Sequence, residues 1–136
     1  MLRFRIRTGP VISNLRFWGG FCSADISSSD NPAENFIAFR YSTSASDTTF
    51  KCCTKNGTTL TTIDSGITVA ANTEYNFCID IGNGTDCLFY INDTLTATMS
   101  SNLPSSSLFL GTILKITNLT ASSRNFLFSR MFGTSQ

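Results

Sequence analysis

Leu2, Phe4 and Ile6 alternate with Arg3, Arg5 and Arg7 at the start of the chain, the period of two that a strand shows when one face is buried and the other is wet. The arginine row reads as the solvated face of that strand in preference to an anion site. Thr8, Gly9 and Pro10 break the pattern, and Leu15, Phe17, Gly19 and Phe21 resume it as a second strand. Residues 35–42 read as a third strand and 49–55 as a fourth, with Lys55-Asn56-Gly57 turning the chain into a return over 58–63. Asp64-Ser65-Gly66 then leads into Ile67-Thr68-Val69, and Ala71-Asn72-Thr73 turns the chain into a strand from Tyr75 to Ile81. Gly82-Asn83-Gly84-Thr85-Asp86 is the clearest hairpin signal, joining that strand to residues 87–91. Asn92-Asp93 is a tight turn before 94–99, Pro104 and three serines interrupt the pattern, and short strands follow at 108–110, 113–116 and 126–131.

Ten or so short strands, separated by turns and without helical periodicity, predict an all-β antiparallel β-sandwich or jelly roll. Strands should exceed ~40% of the residues, and no helix should pass about two turns. No internal repeat or linker divides the chain, so residues 1–136 are expected to form one domain. The first strand begins at Met1 with no turn before it. This predicts that the domain lacks its first strand or that the chain is the C-terminal part of a longer protein.

Composition sharpens the picture. Ser and Thr together number 37, Asn adds 11 and Lys only 3, a balance suited to pleated surfaces and tight bends rather than to exposed helices. The formal charge is +1 and cations do not cluster beyond the short arginine row, so nucleic acid and anionic membranes are not expected partners. No apolar run approaches the ~20 residues of a spanning helix. The alternating N-terminus also differs from a signal peptide, so the chain either is not secreted by that route or has lost its leader.

Cys22, Cys52, Cys53, Cys78 and Cys87 are odd in number and match no C-x-x-C metal or redox spacing; most read as small buried hydrophobes. Phe77, Ile79 and Ile81 share one face, as do Cys87, Phe89 and Ile91, and pairing those sets leaves Cys78 on the far side. At most one disulfide is therefore expected, which favours folding in a reducing compartment. Sequons at Asn56, Asn83, Asn92 and Asn118 are what chance supplies in a chain so rich in Asn, Ser and Thr.

From Gly57 the residues run Gly-Thr-Thr-Leu-Thr-Thr-Ile-Asp-Ser-Gly-Ile. Later come Asn72-Thr73-Glu74-Tyr75, Phe89-Tyr90-Ile91-Asn92-Asp93-Thr94-Leu95 and Ser101-Asn102-Leu103-Pro104. In this order they resemble the concanavalin A-like, laminin-G-like jelly-roll modules of bacteriophage and environmental bacterial proteins. Glu74 and Tyr75 stand where those modules usually have Trp-Tyr, and Asp93 stands where they have the hairpin Gly. The resemblance covers nearly the whole chain but begins after the module's usual first strands. It implies a concanavalin A-like fold and a range of roles, in tail fibres, capsid decorations, surface adhesins and modules attached to glycosidases. The motifs are turn chemistry and core packing, so they do not choose among these roles.

The search for chemistry yields little. The absence of histidine removes the commonest general base, the usual catalytic triads and most zinc sites. Retaining glycosidases of the resembled fold carry close acids on one strand, because nucleophile and proton donor flank one bond. Here Glu34 and Glu74 are the only glutamates, and no acids stand at i, i+2. The chain is therefore expected not to be an enzyme. Asp25, Asp30 and Glu34, in the loop 23–34, are the only local carboxylate cluster and the calcium candidate, although a solvated acidic loop is the plainer reading.

Trp18 lies opposite the apolar set of its strand, and Tyr41 and Tyr90 are taken to point away from the faces of Phe39 and Phe89. These three aromatics are the binding candidates, for a glycan or for another subunit. The leading expectation is a virion module, most plausibly of a bacteriophage: a fibre, spike or capsid decoration that forms a homo-oligomer or packs on other virion proteins. The alternative is a carbohydrate-binding module of a bacterial surface or secreted protein, located at the cell surface or outside the cell.

Overall fold

The computed structural model describes residues 1–82 and 84–133, with 129–131 and 133 described by their backbone; the Asn83 sequon lies outside the described residues. Ten strands follow one another: β1 (Leu2–Thr8), β2 (Leu15–Cys22), β3 (Asn35–Ser42), β4 (Thr49–Asn56), β5 (Leu60–Thr68), β6 (Glu74–Asp80), β7 (Cys87–Ile91), β8 (Thr94–Met99), β9 (Gly111–Asn118) and β10 (Phe126–Gly133). The only helical piece among the described residues is a single 3-10 turn at Thr43–Ala45. Strands make up 55% of the chain, as the alternation predicted.

The strands form two five-stranded antiparallel sheets. Sheet A has the order β10-β1-β6-β7-β8 and sheet B the order β5-β4-β3-β2-β9. Their inner faces meet in a core built on phenylalanine. Phe77 stands 5.0 Å from Phe4, 4.7 Å from Phe39 and 4.9 Å from Phe50 between ring centroids, so a single β6 ring bridges both sheets. Alternation explains this arrangement: Leu2, Phe4 and Ile6 point inward from β1 and are buried, while Arg3 and Arg7 are exposed.

Two boundaries depart from the sequence reading. Asp64-Ser65-Gly66, expected to turn the chain, lies inside β5, where the pairing with β4 shifts register between Thr49 and Lys51. Gly66 takes φ +73°, and its N–H donates to Asp64 Oδ1 at 2.8 Å, so the local turn chemistry makes a bulge and the strand continues through it. Of the two short strands expected at 108–110 and 113–116, only the second forms, within β9, which begins at Gly111; 108–110 lie in the connection before it.

The central strands β2 and β3 are buried on both faces. Inside, a Cβ at Gly19 would meet Phe4 and Phe17 Cζ at 2.7 and 2.8 Å; across the ladder, a Cβ at Gly20 would lie 2.3 Å from the Ile37 carbonyl oxygen. The glycines let β2 sit close to the core and to β3. All five cysteines are buried free thiols. Cys78 pairs with Arg3 on the outer face of sheet A and Cys87 belongs to the core. They occupy opposite faces, as the alternation required.

Candidate functional site

A module of this shape offers two broad outer faces. That of sheet B is closed by its own chain. Residues 23–34, the connection from β2 to β3, fold back across it as a strap and bury Ile26 against Trp18, Cys22, Phe36, Ala38 and Cys53 as a second small core. Backbone carbonyls of the strap accept from the sheet beneath: Ser29 from Trp18 Nε1 at 3.1 Å, Asp30 from Arg40 Nη1 at 2.9 Å and Pro32 from Lys55 Nζ at 2.6 Å. Among the described residues no buried side-chain polar atom lacks a partner, which a buried, loop-covered face requires. Arg40 also grips Asp47 through both carboxylate oxygens, at 2.9 and 3.1 Å.

The binding and calcium candidates of the sequence fall largely within this closed region. Trp18 is fully buried, with its ring 5.1 Å from Phe36 and the Arg40 guanidinium 5.9 Å above it. It does point away from the main core, as expected, but the strap covers it. Tyr41 lies between the sheets, 4% exposed, donating to the Ile12 carbonyl at 3.1 Å. Its expected outward direction is corrected by the period of two itself: Phe39 and Tyr41 are two residues apart and share the inner face. Tyr90 does face outward, on sheet A. The three aromatics thus occupy three separate surfaces and form no common patch.

Asp25, Asp30 and Glu34 do not converge either, and no group of three or more potential metal ligands exists among the described residues. Asp25 accepts from Lys115 Nζ, and Asp30 accepts from Arg16 Nε and Ser44 Oγ. Burial opposes ionisation of Asp30, yet hydrogen bonds from Arg16, Ser42 and Ser44 outweigh it and hold its pKa at about 2. The Lys115 and Ser27 hydrogen bonds pull Asp25 well below the usual carboxylate range. Each aspartate is neutralised by a cation of the sheet and pins the strap to it, which leaves no carboxylate cluster for calcium.

Among the described residues the outer face of sheet A has no such cover: Arg3, Arg7, Glu74, Leu95 and Thr98 are exposed along it. A hollow of about 230 Å³ opens there between Arg3, Arg5, Asn76, Asp93 and Phe132. A second, of about 220 Å³, shares Arg3 and Asp93 and extends to Asp80 and Tyr90. Together they make a groove with Phe132 at one end and Tyr90 at the other, and Cys78, common to both hollows, in a floor otherwise lined by polar and charged groups over the Phe4 and Phe77 rings. Arg5 Nε donates to Asn76 Oδ1 at 2.8 Å, and Arg3 lies 3.7 Å from the largely exposed Asp93. A roomier hollow, about 440 Å³ beside β9, has Phe109 and the closed Lys115–Asp25 pair in its wall. It offers fewer free polar groups.

Sequence reasoning found Tyr90 but not Arg5, Asn76, Asp93 or Phe132. The available signal was the alternating arginine row in a chain with almost no lysine. What it lacked was the register that sets Arg3 beside Phe132 and Cys78. Guanidinium, amide and carboxylate groups in fixed planes suit the paired hydroxyls of a sugar, and exposed rings suit its apolar face.

The fold is a concanavalin A-like jelly-roll sandwich. The structure is similar to that of a Bacillus licheniformis β-glucanase, with a TM-score of 0.60 and 14% sequence identity, over 96% of this chain and 63% of that one. This chain therefore spans less than two-thirds of the enzyme's length. No protein-family model and no curated protein matches the sequence. The likeness corrects the expectation that the chain is not an enzyme, since the similar structure is itself that of an enzyme on this fold. The spacing argument fails for a physical reason: catalytic carboxylates need proximity in space, which residues on different strands can supply without any i, i+2 pair.

Proposed function

We propose that the chain is a glycan-binding module that holds its ligand in the groove on the outer face of sheet A. The observation that carries this reading is the pairing of two rings, Phe132 and Tyr90, with a floor of Arg3, Arg5, Asn76 and Asp93 on the face the strap leaves open. Support comes also from the structural likeness to a protein named for a glucan. The module would act at a cell surface or outside the cell. Glycan binding measured by calorimetry on the wild type and on Arg5→Ala and Tyr90→Ala tests it. Each variant should weaken binding by about tenfold, the size of one charged hydrogen bond or one ring contact. Unchanged affinity in both would remove the groove from the account.

A second reading is favoured by a different observation. Leu127, Phe128 and Phe132 are 63, 44 and 54% exposed along β10, the edge strand of sheet A. An apolar edge strand is a template for pairing with another chain. On this reading the chain is a self-associating virion module, in a bacteriophage fibre, spike or capsid decoration, with β10 as the contact. Light scattering decides the matter: a monomer at high protein concentration would remove this second reading.

A further inference from the structure

Ten Lys and Arg residues serve the whole chain, and four arginines on the outer faces of the two sheets are held in two different ways. On sheet B, Arg16 and Arg40 are only 9% exposed in their side chains and each is closed onto a carboxylate. On sheet A, Arg3 and Arg5 meet Asp93 and Glu74 at 3.7 and 3.4 Å, with side-chain exposures of 55 and 39%. Arg7, also exposed, has no ion pair among the described residues. Exposed pairs of that length contribute little, because solvent and salt screen them. The sheet A arginines are held in place without being used up.

Arg3, Arg5 and Arg7 stand on alternate positions of β1, so their side chains leave one face at intervals of roughly 7 Å. Arg5 is paired across the ladder with Arg130 of β10. The same register sets the apolar Phe132 beside Arg3 and Leu127 beside Arg7. Arginines with Phe132 and Leu127 beside the two ends of their row are complementary to an anionic chain that has apolar faces.

We infer that the groove is built for an acidic glycan, a polysaccharide bearing carboxylate or sulfate groups. Its acid groups pair with Arg3 and Arg5 in the groove and with Arg7 farther along β1, and its sugar rings rest on Phe132 in the groove and on Leu127 beside Arg7. The ligand's anions exchange with Asp93 and Glu74 as partners of Arg3 and Arg5, and meet Arg7, which stands opposite Glu74 in the ladder but is not closed onto it. This inference rests on the glycan-binding reading above and adds the ligand's charge. Nucleic acid, the other common polyanion, is disfavoured because a duplex needs a broad basic field, whereas the chain has a net charge of +1 and its cations do not cluster beyond this short arginine row.

The experiment compares polygalacturonate, dextran sulfate, the neutral glucan laminarin and a random-sequence DNA duplex as ligands. It uses the wild type and Arg7→Gln, at about 50 mM and about 300 mM salt, concentrations that span weak to strong screening. The expected result is that at low salt at least one acidic glycan binds about tenfold tighter than laminarin, and that Arg7→Gln and high salt each reduce that preference severalfold. Polygalacturonate as the tighter of the two would assign the acid as carboxylate, and dextran sulfate as the tighter would assign it as sulfate. Laminarin bound at least as well as both, with no effect of Arg7→Gln, would overturn the inference and leave the glycan-binding reading standing. No glycan bound at all would overturn both. DNA bound as tightly as the acidic glycans would reduce the site to general polyanion attraction and overturn the inference.

Discussion

Trp18→Ala tests the strap most directly, because the ring lies between the strap and sheet B. Removing it takes away a fully buried indole, its edge contact with Phe36, the Arg40 guanidinium above it and the Nε1 hydrogen bond to Ser29. A ring of this size buries roughly 150–250 Å², or about 4–6 kcal/mol at ~25 cal/mol per Å². The strap can settle partly into the space, which brings the expected loss into the ~3–5 kcal/mol range of large-to-small substitutions. That is a third or more of a typical domain's stability. Urea unfolding followed by circular dichroism reads it as a lower midpoint at unchanged slope.

Glycan affinity per folded molecule should not change, because the groove is on the other sheet. A loss of under about 1 kcal/mol would mean that the strap does not pack on Trp18. If glycan binding fell as well, Trp18 would return as a ligand contact and the groove on sheet A would lose its claim.

Three further outcomes follow from the same packing. Gly20→Ala should cost about 1–3 kcal/mol or more in thermal or urea unfolding, since its Cβ would sit 2.3 Å from the Ile37 carbonyl and the β2–β3 ladder would have to open; a neutral result would show that β2 and β3 are not so close. Asp30 is held at about 2 in the folded protein, below its unfolded value of about 3.9, so its stabilisation is present above about pH 4 and is lost as pH falls toward 2. Trp18 emission should therefore shift red in that interval, and Asp30→Asn should flatten the shift; a transition of equal size in the variant would refute the assignment. All five cysteines should react on unfolding without reductant and very slowly when folded, because burial raises the Cys52 and Cys53 thiols to about 12 and 11; a count of three would reveal a disulfide.

Much of the fold was legible because its information is local. The period of two placed Leu2, Phe4, Ile6, Phe77, Ile79, Phe89 and Ile91 on inward faces, and all are buried. The same rule placed Cys78 and Cys87 on opposite faces. It failed at Tyr41 only in application, since Phe39 and Tyr41 share parity. At Asp64-Ser65-Gly66 turn chemistry was read correctly but its consequence was not. A turn sequence within a strand paired on one side can be absorbed as a bulge, and only the pairing with β4 decides that.

The two outer faces required more than parity. Trp18, Phe36 and Ala38 made β2 and β3 apolar on both sides, a signal that such strands are covered on both sides but not of what covers them. An interface with another chain and a strap from the same chain give the same pattern in the strands. They differ only in partners far along the sequence, such as Asp25 with Lys115, 90 positions apart. The groove has the same character in stronger form. Its floor joins β1 to β6, and its aromatic end depends on β10 pairing with β1, so Phe132 meets Arg3 across almost the entire chain. No window of sequence contains both residues. The arginine row therefore looks like an ordinary wet face until the last strand is laid beside the first, and only then do Phe132 and Leu127 come to stand beside its two ends.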